Sequence, residues 1–438
     1  MGTTPKIIVL DDDPTGSQTV HSCLLLLQWD VDTLVLGLQD DSPLMFVLTN
    51  TRALSPAQAE AVTREVCQNL KVAIPQAGIE EFLVVSRSDS TLRGHYPIET
   101  DAIAAELGPF DAHFMVPAFF EGGRITRDST HYVVQNGTPV PAHETEFAKD
   151  SVFGYSTAYL PDYVAEKTSG AIAPDQVERF TLDRVRSGIA EALKGLEGNT
   201  CVAVDGETQA DLNAFAQEVL AAAADGKRFL FRSAASLLTA LAALPPQPIA
   251  ATDMAQYVKD HHPGAILIGS HVKKTTQQLA ELLKAPGIVG VEVDVTQMLD
   301  DWAAGRSRLL TSTLAQVSQI HARGDTPAIY TSREELTFPD VQTRLAFGEQ
   351  VSGLLMDIVR GLPSDLGFLI SKGGITSNDT LSKGLALRTT RLLGQILPGV
   401  SVVRTEADHP QFSAMPVVLF PGNVGDENAL ALAYQRLS

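Results

Sequence analysis

Short unbroken apolar runs recur along the chain, each stopped by a polar or glycine-bearing turn. The first covers residues 7–10; three consecutive carboxylates, Asp11, Asp12 and Asp13, and the turn residues Pro14, Thr15 and Gly16 follow it. Runs this short, without polar alternation, suit strands covered on both faces, as in a parallel sheet. Strands are likewise expected over residues 44–48, 82–85, 113–116, 201–204 and 228–231, the third opened by a His and the last by an Arg. Helical stretches lie between them. Ser55-Pro56 reads as an N-cap and first turn, with Val62, Val66 and Leu70 on one face. An Ala-rich helix is expected over 207–224. Asn136-Gly137, between two β-prone stretches, predicts a hairpin.

The second half uses the same grammar. Residues 265–268 run into Gly269-Ser270-His271, and a helix with Leu279, Leu282 and Leu283 on its inner face follows. A strand is expected within 326–330. Residues 366–370 lead to Lys372-Gly373-Gly374, and 417–420 to Pro421-Gly422-Asn423-Val424-Gly425. Strands alternating with helices predict an α/β fold of two domains, each a mainly parallel sheet flanked by helices. Three prolines within Leu244-Pro245-Pro246-Gln247-Pro248 favour an extended spacer. The expected division is a domain over 1–245, a linker over 246–261 and a domain over 262–438.

Charge changes the picture by exclusion. A formal net charge of -19 argues against nucleic acid or an anionic membrane as partner, so any anionic ligand needs locally placed cations or backbone N–H groups. The three cysteines, Cys23, Cys67 and Cys201, are far apart and form no metal spacing, which suits a reducing cytoplasm. No apolar run approaches the roughly 20 residues of a membrane span. The start lacks a secretory core. Met1-Gly2 is followed by Lys6 where myristoylation wants Ser or Thr. His261-His262, His271 and His321 show no metal-binding spacing.

Ligands in open α/β sheets bind past the carboxyl ends of strands, where Asp11, Asp12 and Asp13 would sit. Arg52, Arg87, Arg93 and Arg124 all follow predicted strands, and Arg forks suit carboxylate or phosphate. Asp89, Ser90 and Thr91 would either bind hydroxyls or cap a helix starting near Tyr96. In the second half, Gly269-Ser270, Gly373-Gly374 and Gly422–Gly425 form three strand–loop–helix junctions that could cradle phosphates. Neither a Walker A pattern nor G-x-G-x-x-G occurs. Two other readings stay open. Asp11-x-Asp13-x-Thr15 after four apolar residues matches the first motif of haloacid dehalogenase-type phosphatases, with Asp11 as nucleophile and Asp13 as general acid. A non-catalytic sensor of a sugar acid and a nucleotide is the second.

Several segments resemble the four-carbon acid sugar kinases. Asp12-Asp13-Pro14-Thr15-Gly16 is similar to that family's Asp-Asp-Leu-Thr-Gly, with Pro for Leu. Arg87-Ser88-Asp89-Ser90-Thr91-Leu92-Arg93-Gly94 resembles its Lys-x-Asp-Ser-Thr-Leu-Arg-Gly, and residues 117–124 its Pro-Ala-Phe-Pro-x-x-Gly-Arg. The second half resembles its three nucleotide loops. Two departures stand out: Phe420-Pro421 replaces Lys-Ser before Gly422-Asn423, and Thr19 stands where an Asp is frequent. The resemblance implies a substrate-binding first domain, a nucleotide-binding second domain, and ATP-dependent phosphorylation, with Mg2+, of a threonate, an erythronate or a 3-oxo-tetronate. It implies Asp12 and Asp13 as catalytic groups. Thr15, Gly16, Arg52, Asp89, Ser90, Arg93, Gly94 and Arg124 would bind substrate. Ser270, Gly373, Gly374, Ile375, Thr376, Gly422, Asn423 and Gly425 would bind nucleotide. The expected partners are these two small molecules; the oligomeric state stays open, a homodimer being one option.

Overall fold

The computed structural model describes residues 5–333 and 336–438; the Met1-Gly2 start lies outside them. The chain divides into two compact units between Pro246 and Gln247.

Unit 1 contains β1 (Lys6–Asp11), β2 (Leu24–Leu26), β3 (Leu44–Leu48), β4 (Phe82–Arg87), β5 (Ala112–Val116), β6 (Arg124–Arg127), β7 (Thr130–Gln135), β8 (Thr138–Pro141), β9 (Glu178–Phe180), β10 (Thr200–Val204) and β11 (Phe229–Ser233). Eight of these run in the order β2-β3-β1-β4-β11-β5-β10-β9, every pair parallel. All six residues of β1 are buried, which is why its sequence is an apolar run rather than an alternation. Helices cover the sheet. The helix Pro56–Gln76 begins in the capping box of Ser55 and Gln58 and buries Val66 and Leu70. The Ala-rich helix spans Gln209–Ala224. Asn136 and Gly137, with φ of 52° and 79°, close the β7–β8 hairpin with left-handed backbone.

Unit 2 contains β12 (Ala265–Ile268), β13 (Ile288–Val293), β14 (Thr326–Thr331), β15 (Leu369–Lys372), β16 (Thr389–Leu397), β17 (Val400–Arg404) and β18 (Pro416–Phe420), in the order β13-β14-β12-β15-β18-β17-β16. The first five run parallel; β17 and β16 are antiparallel. That antiparallel pair is absent from the sequence reading, because its polar and glycine interruptions hide the run. The expected linker is packed rather than extended. The Gln247 amide donates to the Gln395 carbonyl at 3.1 Å and accepts from the Gln395 N–H at 2.9 Å. Met254 joins the core of unit 2. Among the described residues no helix is long and apolar enough to cross a membrane.

Candidate functional site

The strand β1 ends at Asp11, and the backbone then turns: the Gly16 N–H donates to the Asp13 carbonyl at 2.9 Å. The turn breaks the side-to-side alternation of a strand, so Asp12 and Asp13 reach the same cation. Arg52, just past β3, donates to both Asp12 oxygens at 2.5 and 3.1 Å and to Asp13 at 3.2 Å. Ser88 donates to Asp12 at 2.8 Å. The Asp12 side chain is 2% exposed and that of Asp13 22%, so Asp13 is the carboxylate an external molecule can reach. Burial pushes the Asp13 carboxyl up, but Arg52 and the Thr15 hydrogen bonds outweigh it, and its pKa falls below the usual carboxylate value.

Asp11 is sealed, and it shares Arg87 with Asp12, which lies 3.9 Å from the same nitrogen. It is 1% exposed, pairs with Arg87 at 3.4 Å and accepts the Asp13 N–H. Its second oxygen has no partner, and a Cβ on Gly16 would stand 2.1 Å from it. Burial, opposed by Arg87 and reinforced by Asp12 and Asp13, pushes its pKa up to about 7. A phosphatase nucleophile must be open to the phosphorus and ionised; Asp11 is closed in beneath the turn.

The loop after β4 completes the wall. Asp89 accepts from Thr91 and from Arg93 Nε at 2.8 Å, and Arg52 lies 3.8 Å away. Burial raises the Asp89 pKa, yet Arg52 and Arg93 hold it well below the usual range. Asp89, Ser90 and Thr91 do not cap the helix Ile98–Leu107, whose N-cap is Pro97 without a side-chain bond. Gly94 has φ of 124°, and a Cβ there would meet Ser88 Oγ at 2.4 Å and an Arg232 nitrogen at 2.6 Å, so only glycine fits.

Arg124 differs from the other three arginines. Arg52, Arg87 and Arg93 each pair with carboxylates. Among the described residues Arg124 has no carboxylate partner; it donates to the Gly122 carbonyl and lies 5.7 Å from the centroid of Phe147, the ring that also carries Arg93 at 5.2 Å. Its Nε is buried without a partner, and burial lowers its pKa. Asp89 and Arg93 act on its charge, and no ion pair among the described residues neutralises it. Beside it a small cleft is lined by Ser88, Asp89, Arg93, Met115, Arg232 and Ser233. Arg232 and Ser233 escaped the sequence reading, although a charge at the end of the apolar run 229–231 is a visible signal. Arg232 pairs with buried Glu99 at 2.6 Å, a partner 133 positions away.

In unit 2 the three glycine loops meet, because β12, β15 and β18 are neighbours. Gly373 has φ of 122°, and a Cβ there would lie 3.1 Å from both Ser270 Cβ and Thr376 Oγ1. Gly422 approaches Ser270 Oγ, and Thr275 joins the same two loops by bonds of 3.2 Å to Ser270 Oγ and 3.0 Å to the Gly422 carbonyl. Gln278 donates to the carbonyls of Val424 and Asp426 at 2.9 and 2.8 Å, fixing the loop that holds Asn423 and Gly425. Gly374 opens the short helix Gly374–Asp379, and Ile375 stands 72% exposed beside it. Among the described residues no group of three or more His, Cys, Asp or Glu side chains is arranged to hold a metal ion.

Residues 7–241 match a family described as a sugar-binding N-terminal domain, and residues 265–430 one described as a nucleotide-binding C-terminal domain. A D-erythronate kinase of Heliobacterium modesticaldum is 25% identical over 312 residues, 68% of this chain and 64% of that protein. A D-threonate kinase of Bordetella bronchiseptica is 28% identical over 165 residues, 36% of this chain and 38% of that one. The chain thus spans less than two thirds of the length of either relative. Among solved structures, a Salmonella typhimurium LT2 protein described as a putative tRNA synthase has a TM-score of 0.71 at 20% identity, covering 98% of both chains. A Haemophilus influenzae protein has a TM-score of 0.65 at 18% identity, covering 98% of this chain and 100% of its own. At that identity these two speak for a shared fold alone. The two family matches span most of the sequence, and with them the chain belongs to the four-carbon acid sugar kinase family.

Proposed function

We propose that this protein transfers a phosphoryl group from ATP to a hydroxyl of a four-carbon sugar acid of the threonate, erythronate or 3-oxo-tetronate type. The observation that carries the reading is Arg124, whose Nε is buried without a partner and which makes no ion pair among the described residues, within reach of the charges of Asp89 and Arg93, together with the accessible carboxylate of Asp13. Arg124, with Arg93, holds the substrate carboxylate, since a desolvated fork gains most from a bidentate anion. Ser88 and Asp89 meet the hydroxyls along the cleft, and Gly94 keeps that wall free of a side chain. Asp13 accepts the proton of the attacking hydroxyl. Its low pKa suits a loose phosphoryl transition state, in which the hydroxyl gives up its proton late and positioning outweighs basicity. Asp12 acts on Asp13 through their shared Arg52, and Thr15 fixes the Asp13 oxygen that the substrate does not use.

The nucleotide binds at the three glycine loops of unit 2, through Ser270, Gly373–Thr376, Gly422, Asn423 and Gly425. Magnesium enters with ATP as part of that cosubstrate, held by phosphates and water. Both Asp12 oxygens are engaged by Arg52 and Ser88, so no metal is assigned to them. The names of the two kinase relatives support D-erythronate and D-threonate as the first substrates to try. The test is ADP release by the purified chain across a panel of four-carbon sugar acids. At least one acid should stimulate it well above the ATP-only rate, and a panel in which none does would remove the proposal.

A further inference from the structure

Lys372 closes β15 between the two other glycine loops, in register with Ile268 on β12 and Phe420 on β18. Its side chain is fully buried. The ammonium donates to the Pro421 carbonyl at 2.5 Å and the Gly422 carbonyl at 3.3 Å, and lies 4.1 Å from the centroid of the Phe420 ring. Among the described residues no carboxylate faces it; the charge that shifts it is another cation, Lys274, on the helix Lys273–Leu282. A buried cation without an anion is costly, and carbonyl dipoles and an aromatic face offset only part of that cost. Burial, with Lys274 adding to it, brings the Lys372 pKa down to about 7. The helix above repeats the imbalance. Lys273 and Lys274 stand exposed in its first turn, where the dipole favours anions. In a chain of net charge -19, Lys372 and Lys274, which make no ion pair among the described residues and act on one another at the glycine loops, suit a polyanion.

We infer that Lys372 is a positioning residue for the nucleotide: it straps Pro421-Gly422 into the cradle, and the bound phosphates supply its missing counter-charge, so that binding draws a proton onto it. This rests on the reading of unit 2 as the nucleotide unit. The facing groups are Lys274, Thr275, which bonds the same Gly422 carbonyl, and the Phe420 ring. Free of nucleotide, Lys372 is largely neutral at pH 8. Phosphate stabilises its charged form, so affinity falls as pH rises above about 7.

The experiment is calorimetry of ADP binding to the full chain at pH 8, in two buffers of different ionisation enthalpy. That pH lies above the phosphate's own titration near about 6. The wild type should take up roughly half to one proton, with affinity falling up to about tenfold per pH unit above 7. Lys372→Met should bind at least about tenfold more weakly at pH 7, with no uptake and a flat pH profile. Lys372→Arg stays charged throughout, so it should bind without uptake. Thr275→Val loosens the same carbonyl but leaves the charge, so affinity should drop while uptake persists. Should Lys372→Met fail to fold, the wild-type proton count and Lys372→Arg still decide. Wild type binding ADP without uptake, or either Lys372 variant retaining it, would overturn the role of Lys372. A wild type that binds no ADP would instead overturn the placement of the nucleotide in unit 2.

Discussion

The three carboxylates at the end of β1 are adjacent in sequence and different in chemistry, and the difference lies in what surrounds each. Asp13 is reachable and held ionised; losing a group that takes the substrate proton costs about 10²–10⁴-fold in rate. Asp13→Asn should therefore lower kcat by at least about a hundredfold by that measure, with the fold intact by circular dichroism. Asp11→Asn keeps the oxygen that accepts the Asp13 N–H and places an amide where the unpartnered oxygen sits, so kcat should stay far closer to wild type. The same variant has a pH signature. With its pKa raised, folded Asp11 keeps a proton that the unfolded chain releases, so stability falls as pH rises from about 4 to about 7. Melting temperatures across that window should decline less for Asp11→Asn than for the wild type; an identical decline would show that Asp11 is already ionised. Arg124→Lys keeps the charge and loses the fork. It should raise the KM for the sugar acid about tenfold or more, the loss of one charged hydrogen bond, and leave the KM for ATP unchanged. Equal changes in both would mean that Arg124 serves the fold.

At the scale of elements, the glycine positions carry the prediction. Gly373→Ala forces a Cβ onto a backbone at φ of 122° and to within 3.1 Å of Ser270 and Thr376. The two loops must part, so the KM for ATP should rise while the KM for the sugar acid holds. The elements that position the site were legible because each strand is buried on both faces and so carries an unbroken apolar run. The hairpin and the Ser55 cap were legible from turn and cap chemistry confined to a few residues. What pairs across the sheet was not. That Arg52 neutralises Asp12 and Asp13, 40 and 39 positions away, follows only once β3 lies beside β1. The same holds for Arg232 with Glu99 and for Lys372 under the Pro421 carbonyl. Strand ends that finish in a charged residue, such as Arg87, Arg232 and Lys372, are the local sign of such pairings.

Across the whole chain, the change of unit falls at the proline cluster around residue 246, but the segment after it packs on unit 2 through Gln247 and Met254 and is not an extended spacer. Both units are built on parallel strands whose carboxyl ends gather polar loops, one rich in Arg and Asp, the other in Gly and Lys. That contrast is the physical basis for giving the sugar acid to the first and the nucleotide to the second. The measurement that bears most directly on this account is phosphorus NMR of the purified protein with ATP and either D-erythronate or D-threonate, run beside Asp13→Asn. The account predicts one new phosphate ester formed for each ADP in the wild type and almost none in the variant. Free phosphate appearing in place of an ester, or an ester formed as fast by Asp13→Asn, would contradict it.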